Sequence, residues 1–195
     1  MTDRIRIYIS AASDLMDERE TLNRLIPEIP TSLGWRVTQT PLDGRDVDLN
    51  AVAGADVHIL LLGGDVRAPV GLECQAARRA GRMPALFSRR EGLRTQAGEA
   101  FARELARYGE WRAFKDTPDL RRQVAALLGD HLIASAARYA ILPDEIERIR
   151  AWRKTLARAK PDDSRAAGDK GVADAGGVIL SDERFTPSQG RLISQ

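Results

Sequence analysis

Charged and apolar positions alternate over residues 4–10, with Ile5, Ile7 and Ile9 in one phase, and the pattern predicts a first strand. Over residues 14–29 the period lengthens. Leu15, Leu22, Leu25 and Ile26 share a helical face, Ser13 or Asp14 can serve as N-cap, and Pro30 and Gly34 end the run. Alternation returns over residues 35–42, predicting a second strand that closes at Asp43-Gly44. Residues 48–53 suit a short helix. Residues 57–62 form an apolar run broken only by His58, as in a buried strand. Gly63, Gly64 and Asp65 stop that run, and residues 72–80 predict a helix with Glu73 on its first turn. A fourth strand is expected at 83–87, introduced by Gly81 and Pro84. An amphipathic helix at 95–108, an edge-type strand at 111–114 and a long helix at 118–139 follow.

Strands that alternate with helices imply a parallel sheet with right-handed crossovers. Five of them suit an α/β, flavodoxin-like three-layer sandwich over residues 1–140, whose switch point lies between the first and third strands. The loops at 10–14 and 63–67 are then expected to meet in one crevice, with Glu73 at its rim. Residues 141–160 predict a basic amphipathic helix in which Ile146, Ile149, Trp152 and Leu156 form one stripe. Docking on the domain is the favoured account of that stripe, and a partner-binding or coiled-coil role is the alternative. Residues 161–195 read as a flexible tail, rich in Asp, Ala, Gly and Lys as far as Gly177, with a short strand possible at 178–180.

Composition narrows the function classes. Thirty basic and 28 acidic side chains nearly cancel, so nucleic acid is not expected as a partner. No apolar run approaches the ~20 residues of a membrane span. The start runs directly into a strand with no apolar leader, and the one cysteine, Cys74, allows no intrachain disulfide. Both observations lead us to expect a cytoplasmic protein. With His58 and His131 as the two histidines, neither a structural zinc site nor a bound cofactor is expected.

The candidate chemistry gathers at the strand ends. A carboxylate beside a sugar ring stabilises the oxocarbenium-like transition state of glycosidic cleavage or attacks it, a role open to Glu73. Glu73 equally suits a helix N-terminus on electrostatic grounds alone. Asp43 and Asp65 follow strands, where they can hold a ribose or form turns. Ser10 and Ser13 can donate to a phosphate, and Arg67 can neutralise one. His58 and Cys74 are read as core residues.

Two blocks carry a family resemblance. Tyr8-Ile9-Ser10-Ala11-Ala12-Ser13-Asp14-Leu15-Met16-Asp17-Glu18-Arg19 resembles the I-S-S-T-F-x-D-L-x-x-E-R opening of a bacterial domain-of-unknown-function family with a TIR-like fold. Ala55-Asp56 with Gly63, then Glu73, Ala77, Gly81 and Pro84, is similar to that family's A-D…G…E-x-x-x-A…G-K-P pattern. The second skeleton is also similar to nucleoside deoxyribosyltransferases, in which the matching glutamate is the nucleophile. The resemblance covers residues 4–128. It implies a TIR-like sensor or effector of a bacterial conflict or antiphage system that hydrolyses the N-glycosidic bond of NAD or a related nucleotide. Glu73 would then be catalytic, with Ser10, Ser13, Asp43, Gly63, Gly64, Asp65 and Arg67 around the substrate and NAD as substrate rather than cofactor. Self-association, or a partner bound through the C-terminal helix and tail, belongs to the same expectation.

The chain departs from the family at Ala11-Ala12, where Ser-Thr is usual, and at Gly63-Gly64-Asp65-Val66-Arg67, which lacks the tyrosine of G-x-R-Y-G. These departures favour an alternative, a non-catalytic interaction module with a vestigial crevice. A nucleoside deoxyribosyltransferase-like enzyme is a further alternative.

Overall fold

The computed structural model describes residues 4–42 and 45–158. Five strands, β1 (Arg4–Ala11), β2 (Gly34–Gln39), β3 (Val57–Leu62), β4 (Ala85–Arg89) and β5 (Trp111–Phe114), form one sheet in the order β2-β1-β3-β4-β5. Every pairing is parallel, with Tyr8 opposite His58 and Ser10 opposite Leu60 across β1 and β3. This is the flavodoxin-like order, and β1 and β3 flank its switch point.

The helices are α1 (Met16–Leu25), α2 (Leu49–Gly54), α3 (Ala68–Arg79), α4 (Gln96–Leu105), α5 (Thr117–Ala134), the single turn α6 (Ala136–Tyr139) and α7 (Pro143–Arg158). Among the described residues no helix is long and apolar enough to cross a membrane. Local chemistry sets several boundaries. Asp48, Thr95 and Asp116 each accept a backbone N–H at the N-terminus of α2, α4 and α5. α3 begins four residues earlier than expected, because Arg67 is extended and Pro69 fits the first helical turn. Glu73 therefore lies in the second turn, on the inward face.

The alternation seen in β1 sorts side chains between two layers. Ile5, Ile7 and Ile9 join Ile59, Leu61, Phe87 and Phe114 in the main core beneath α1 and α5. Tyr8 packs with Val52 and Ala77 on the other side of the sheet, and Leu60 and Leu62 with Val70, Cys74 and Leu105. α7 docks on the main core. Ile149 is fully buried there, worth about 1.5–3 kcal/mol, while Ile146, Trp152 and Leu156 pack against the cluster. The buried Glu145 carboxylate pins the start of α7, accepting the N–H groups of Ser32 (2.7 Å) and Leu142 (3.1 Å). Residues 159–195, with the expected tail and the strand at 178–180, lie outside the described residues.

Candidate functional site

The inward face of α3 delivers Glu73 to the carboxyl-terminal end of β1, where it meets a set of polar side chains. Tyr8 and Ser10, two apart on β1, point to the same layer, and His58 reaches it from β3. Thr40 joins from the residue after β2. Glu73 is fully buried, and both its oxygens are engaged: the Tyr8 hydroxyl donates to Oε1 at 2.8 Å and the Thr40 hydroxyl to Oε2 at 2.7 Å. Thr40 Oγ1 in turn accepts the Ala11 N–H at 3.1 Å, so the carboxylate ties together α3 and the ends of β1 and β2.

Ser10 Oγ and His58 Nε2 lie 2.8 Å apart, and the Tyr8 and His58 rings meet edge-on at 5.4 Å. His58 Nδ1 is buried with no hydrogen-bond partner. An unpaired lone pair costs less than an unpaired N–H, so we assign the tautomer with the proton on Nε2. His58 then donates to Ser10, which frees the Ser10 hydroxyl to donate to Glu73. Arg19 closes the cluster from α1, donating to Gln39 Oε1 (2.9 Å) and the Thr40 carbonyl (2.7 Å).

Burial raises the Glu73 pKa above the ordinary carboxylate value, against the opposing pull of the Ser10, Thr40 and Tyr8 hydroxyls and the Arg19 charge. Burial pushes His58 down to about 4, so the imidazole is neutral across the physiological range. Burial and then the Glu73 charge drive the Tyr8 phenol upward. Cys74, also buried, is pushed up to about 11, which removes thiolate chemistry and leaves it a packing residue.

The structure places the expected site residues in two groups. Ser10 and Glu73 belong to the buried cluster, with Ser10 beneath the surface rather than facing a phosphate. Glu73 was expected at the crevice rim. It is covered instead, because the earlier start of α3 turns it toward the sheet. Ser13, Gly63, Gly64, Asp65 and Arg67 lie at the strand ends, where the two expected loops do meet. Asp14, expected as a possible N-cap, lies inside a 3-10 turn whose N-cap is Ala12, and its carboxylate accepts the Gly64 N–H at 2.9 Å. A Cβ on Gly63 would lie 2.2 Å from Asp14 Oδ2, so the glycine permits this approach. Asp65 accepts from the Thr95 hydroxyl (2.6 Å) and the Val66 N–H (2.9 Å), bonds that hold its carboxyl below the usual range. It forms the loop. Ser13 and Arg67 are exposed, and Asp43 lies outside the described residues.

Comparison with family models, curated proteins and solved structures finds no match.

Tyr8 and Thr40 are cluster members that sequence reasoning missed. The signal for Tyr8 was present: it shares a phase with Arg4, Arg6 and Ser10, opposite the isoleucines. Thr40 gave none, since its partner is 33 residues away. Nearby, Arg19, Thr40, Leu42 and Asp48 help line an open depression of about 430 Å³ whose lining does not include Glu73.

Proposed function

We propose that this chain is a TIR-like signalling domain that works through protein–protein contact, with Glu73 as the structural hub of its core. One observation carries the reading. The carboxylate expected to do chemistry is fully buried, with both oxygens occupied by internal donors. Exposing it breaks the charge-assisted hydrogen bonds from Tyr8 and Thr40, at a cost of about 3–6 kcal/mol. The departures at Ala11, Ala12 and residues 63–67 point the same way, because they remove polar and aromatic groups from the crevice.

A second reading, hydrolysis of the N-glycosidic bond of NAD or a related nucleotide, is favoured by a different observation. The depression beside β2 is one hydrogen bond from Glu73, through Thr40. A sugar that replaced the Thr40 hydroxyl would meet a carboxylate of raised pKa beside Arg19.

NAD consumption by the purified chain at high concentration, alongside Glu73→Gln, separates the two. The interaction reading expects no turnover from either protein, and a loss of about 1–3 kcal/mol of stability in the variant, because Thr40 meets an amide in place of an oxygen. NAD loss that disappears in a stably folded Glu73→Gln protein would overturn it in favour of the hydrolase.

A further inference from the structure

The outer pair of helices carries a groove remote from Glu73. Where α5 and α7 approach closely, a Cβ on Gly129 would lie 2.4 Å from Arg153 Cδ. Between residues 119–126 of α5 and 150–157 of α7 they leave an open groove of about 610 Å³. Its floor is aliphatic, with Ala125, Ala126 and Leu156 contributing. Its rim is basic: Arg122, Arg150, Arg153 and Lys154 face a single lining carboxylate, Asp119.

We propose that this groove docks an amphipathic helix of a partner protein whose apolar stripe is flanked by Asp and Glu. The proposal rests on the interaction reading above and assigns it a surface and a partner chemistry. The argument is charge complementarity around an apolar floor, the pattern used when a helix lays its apolar face in a groove and charged flanks set its specificity. Three rim cations already touch carboxylates of this chain: Arg122 with Asp119, Arg150 with Glu147 and Arg153 with Asp130. Pairs that reach solvent on at least one side contribute little, as Arg150–Glu147 and Arg153–Asp130 do, and a guanidinium with five donors can share a second carboxylate. Lys154 makes no ion pair with any described residue. A second copy of this chain fits poorly, because the exposed side of α7 carries four cations, Arg148, Arg150, Lys154 and Arg158, against two carboxylates, Asp144 and Glu147, and its net charge would repel the same rim. A nucleic acid would leave the aliphatic floor uncovered.

The test uses the full chain and a labelled helical peptide with Leu at i, i+3, i+4 and i+7 and Glu at the flanks, followed by fluorescence anisotropy. Saturable binding is expected, with amide shifts at Ala125, Ala126 and Leu156. Affinity is expected to fall about tenfold or more in Arg150→Glu/Lys154→Glu, and to fall with added salt. Both positions are exposed, so the variant is expected to keep the wild-type circular dichroism and melting profile. No saturation by about 1 mM, equal binding to the double variant, or tighter binding of a Lys-flanked peptide or a DNA duplex would overturn the assignment. Those results leave the interaction reading standing. NAD turnover dependent on Glu73 would remove that reading itself.

Discussion

Lowering the pH from about 7 to about 5 is expected to destabilise this protein through His58. The imidazole is 5% exposed, and its pKa falls from 6.5 in the unfolded chain to about 4 in the fold. A depressed histidine pKa means that the unfolded state binds the proton first. Stability is complete above the unfolded value and is lost as pH falls toward the folded one. Evaluating both titrations gives a loss of about 2 kcal/mol between about pH 7 and pH 5, and about 3 kcal/mol once pH is below both values. Glu73 acts with the opposite sign. Its folded pKa is raised, so its ionisation costs stability as pH climbs from the unfolded carboxylate value to the folded one.

Urea unfolding at several pH values, in wild type and in His58→Gln, isolates the histidine. The amide of glutamine can donate to Ser10 but cannot charge. The wild-type stability should fall more steeply than that of the variant, by about 2 kcal/mol over the window. In a Glu73→Gln background the wild-type slope should steepen, since the opposing group is gone. Parallel curves for wild type and His58→Gln would refute the burial of a neutral imidazole.

Two further outcomes follow from close contacts at the strand ends. Gly63→Ala is expected to cost about 1–3 kcal/mol by chemical denaturation, because its Cβ displaces Asp14 Oδ2 and breaks the bond to the Gly64 amide. In an Asp14→Ala background that cost should shrink to what the tight contact with Leu15 leaves, a coupling that a double-mutant cycle measures. Arg89→Leu is expected to cost about 3 kcal/mol, since it strands the buried Glu18 carboxylate that Arg89 contacts at 2.6 Å. This is the lower end for a broken buried pair, because the Arg89 side chain is 35% exposed. Adding Glu18→Leu should recover most of the loss.

The fold was legible wherever one period dominated. The isoleucine phase of β1 and the run from Val57 to Leu62 specified central strands, and glycine and proline marked the joints between elements. The edge strand Trp111–Phe114 emerges with the expected bounds. The start of α3 was misread because Val66 to Pro69 looks like loop, whereas Pro69 at the first helical turn requires no N–H. That four-residue error moved Glu73 from rim to core. The roles of Glu18 and Arg19 were legible as structural, but their partners Arg89, Gln39 and Thr40 were not. Partnerships across elements depend on tertiary register, which a single sequence does not encode locally.

A buried carboxylate needs a reason to persist, because well-packed apolar side chains in its place are often neutral or stabilising by about 1–4 kcal/mol. The cluster supplies one that requires no ligand. Glu73 couples α3 to the ends of β1 and β2, and a one-residue slip of either strand would turn Tyr8 or Thr40 to the opposite layer. If register is the role, the members act as a unit. Tyr8→Phe and Thr40→Val should each cost about 1–3 kcal/mol, since each removes one of the hydroxyl donors to the buried Glu73 carboxylate. Combined with Glu73→Leu they should together cost far less than the sum of the single changes, with hydrogen exchange loosened at β2 rather than globally. Costs that simply add would mean that the three residues do not form one network. The carboxylate would then need a ligand to explain it, and the depression beside Thr40 would be the place to look.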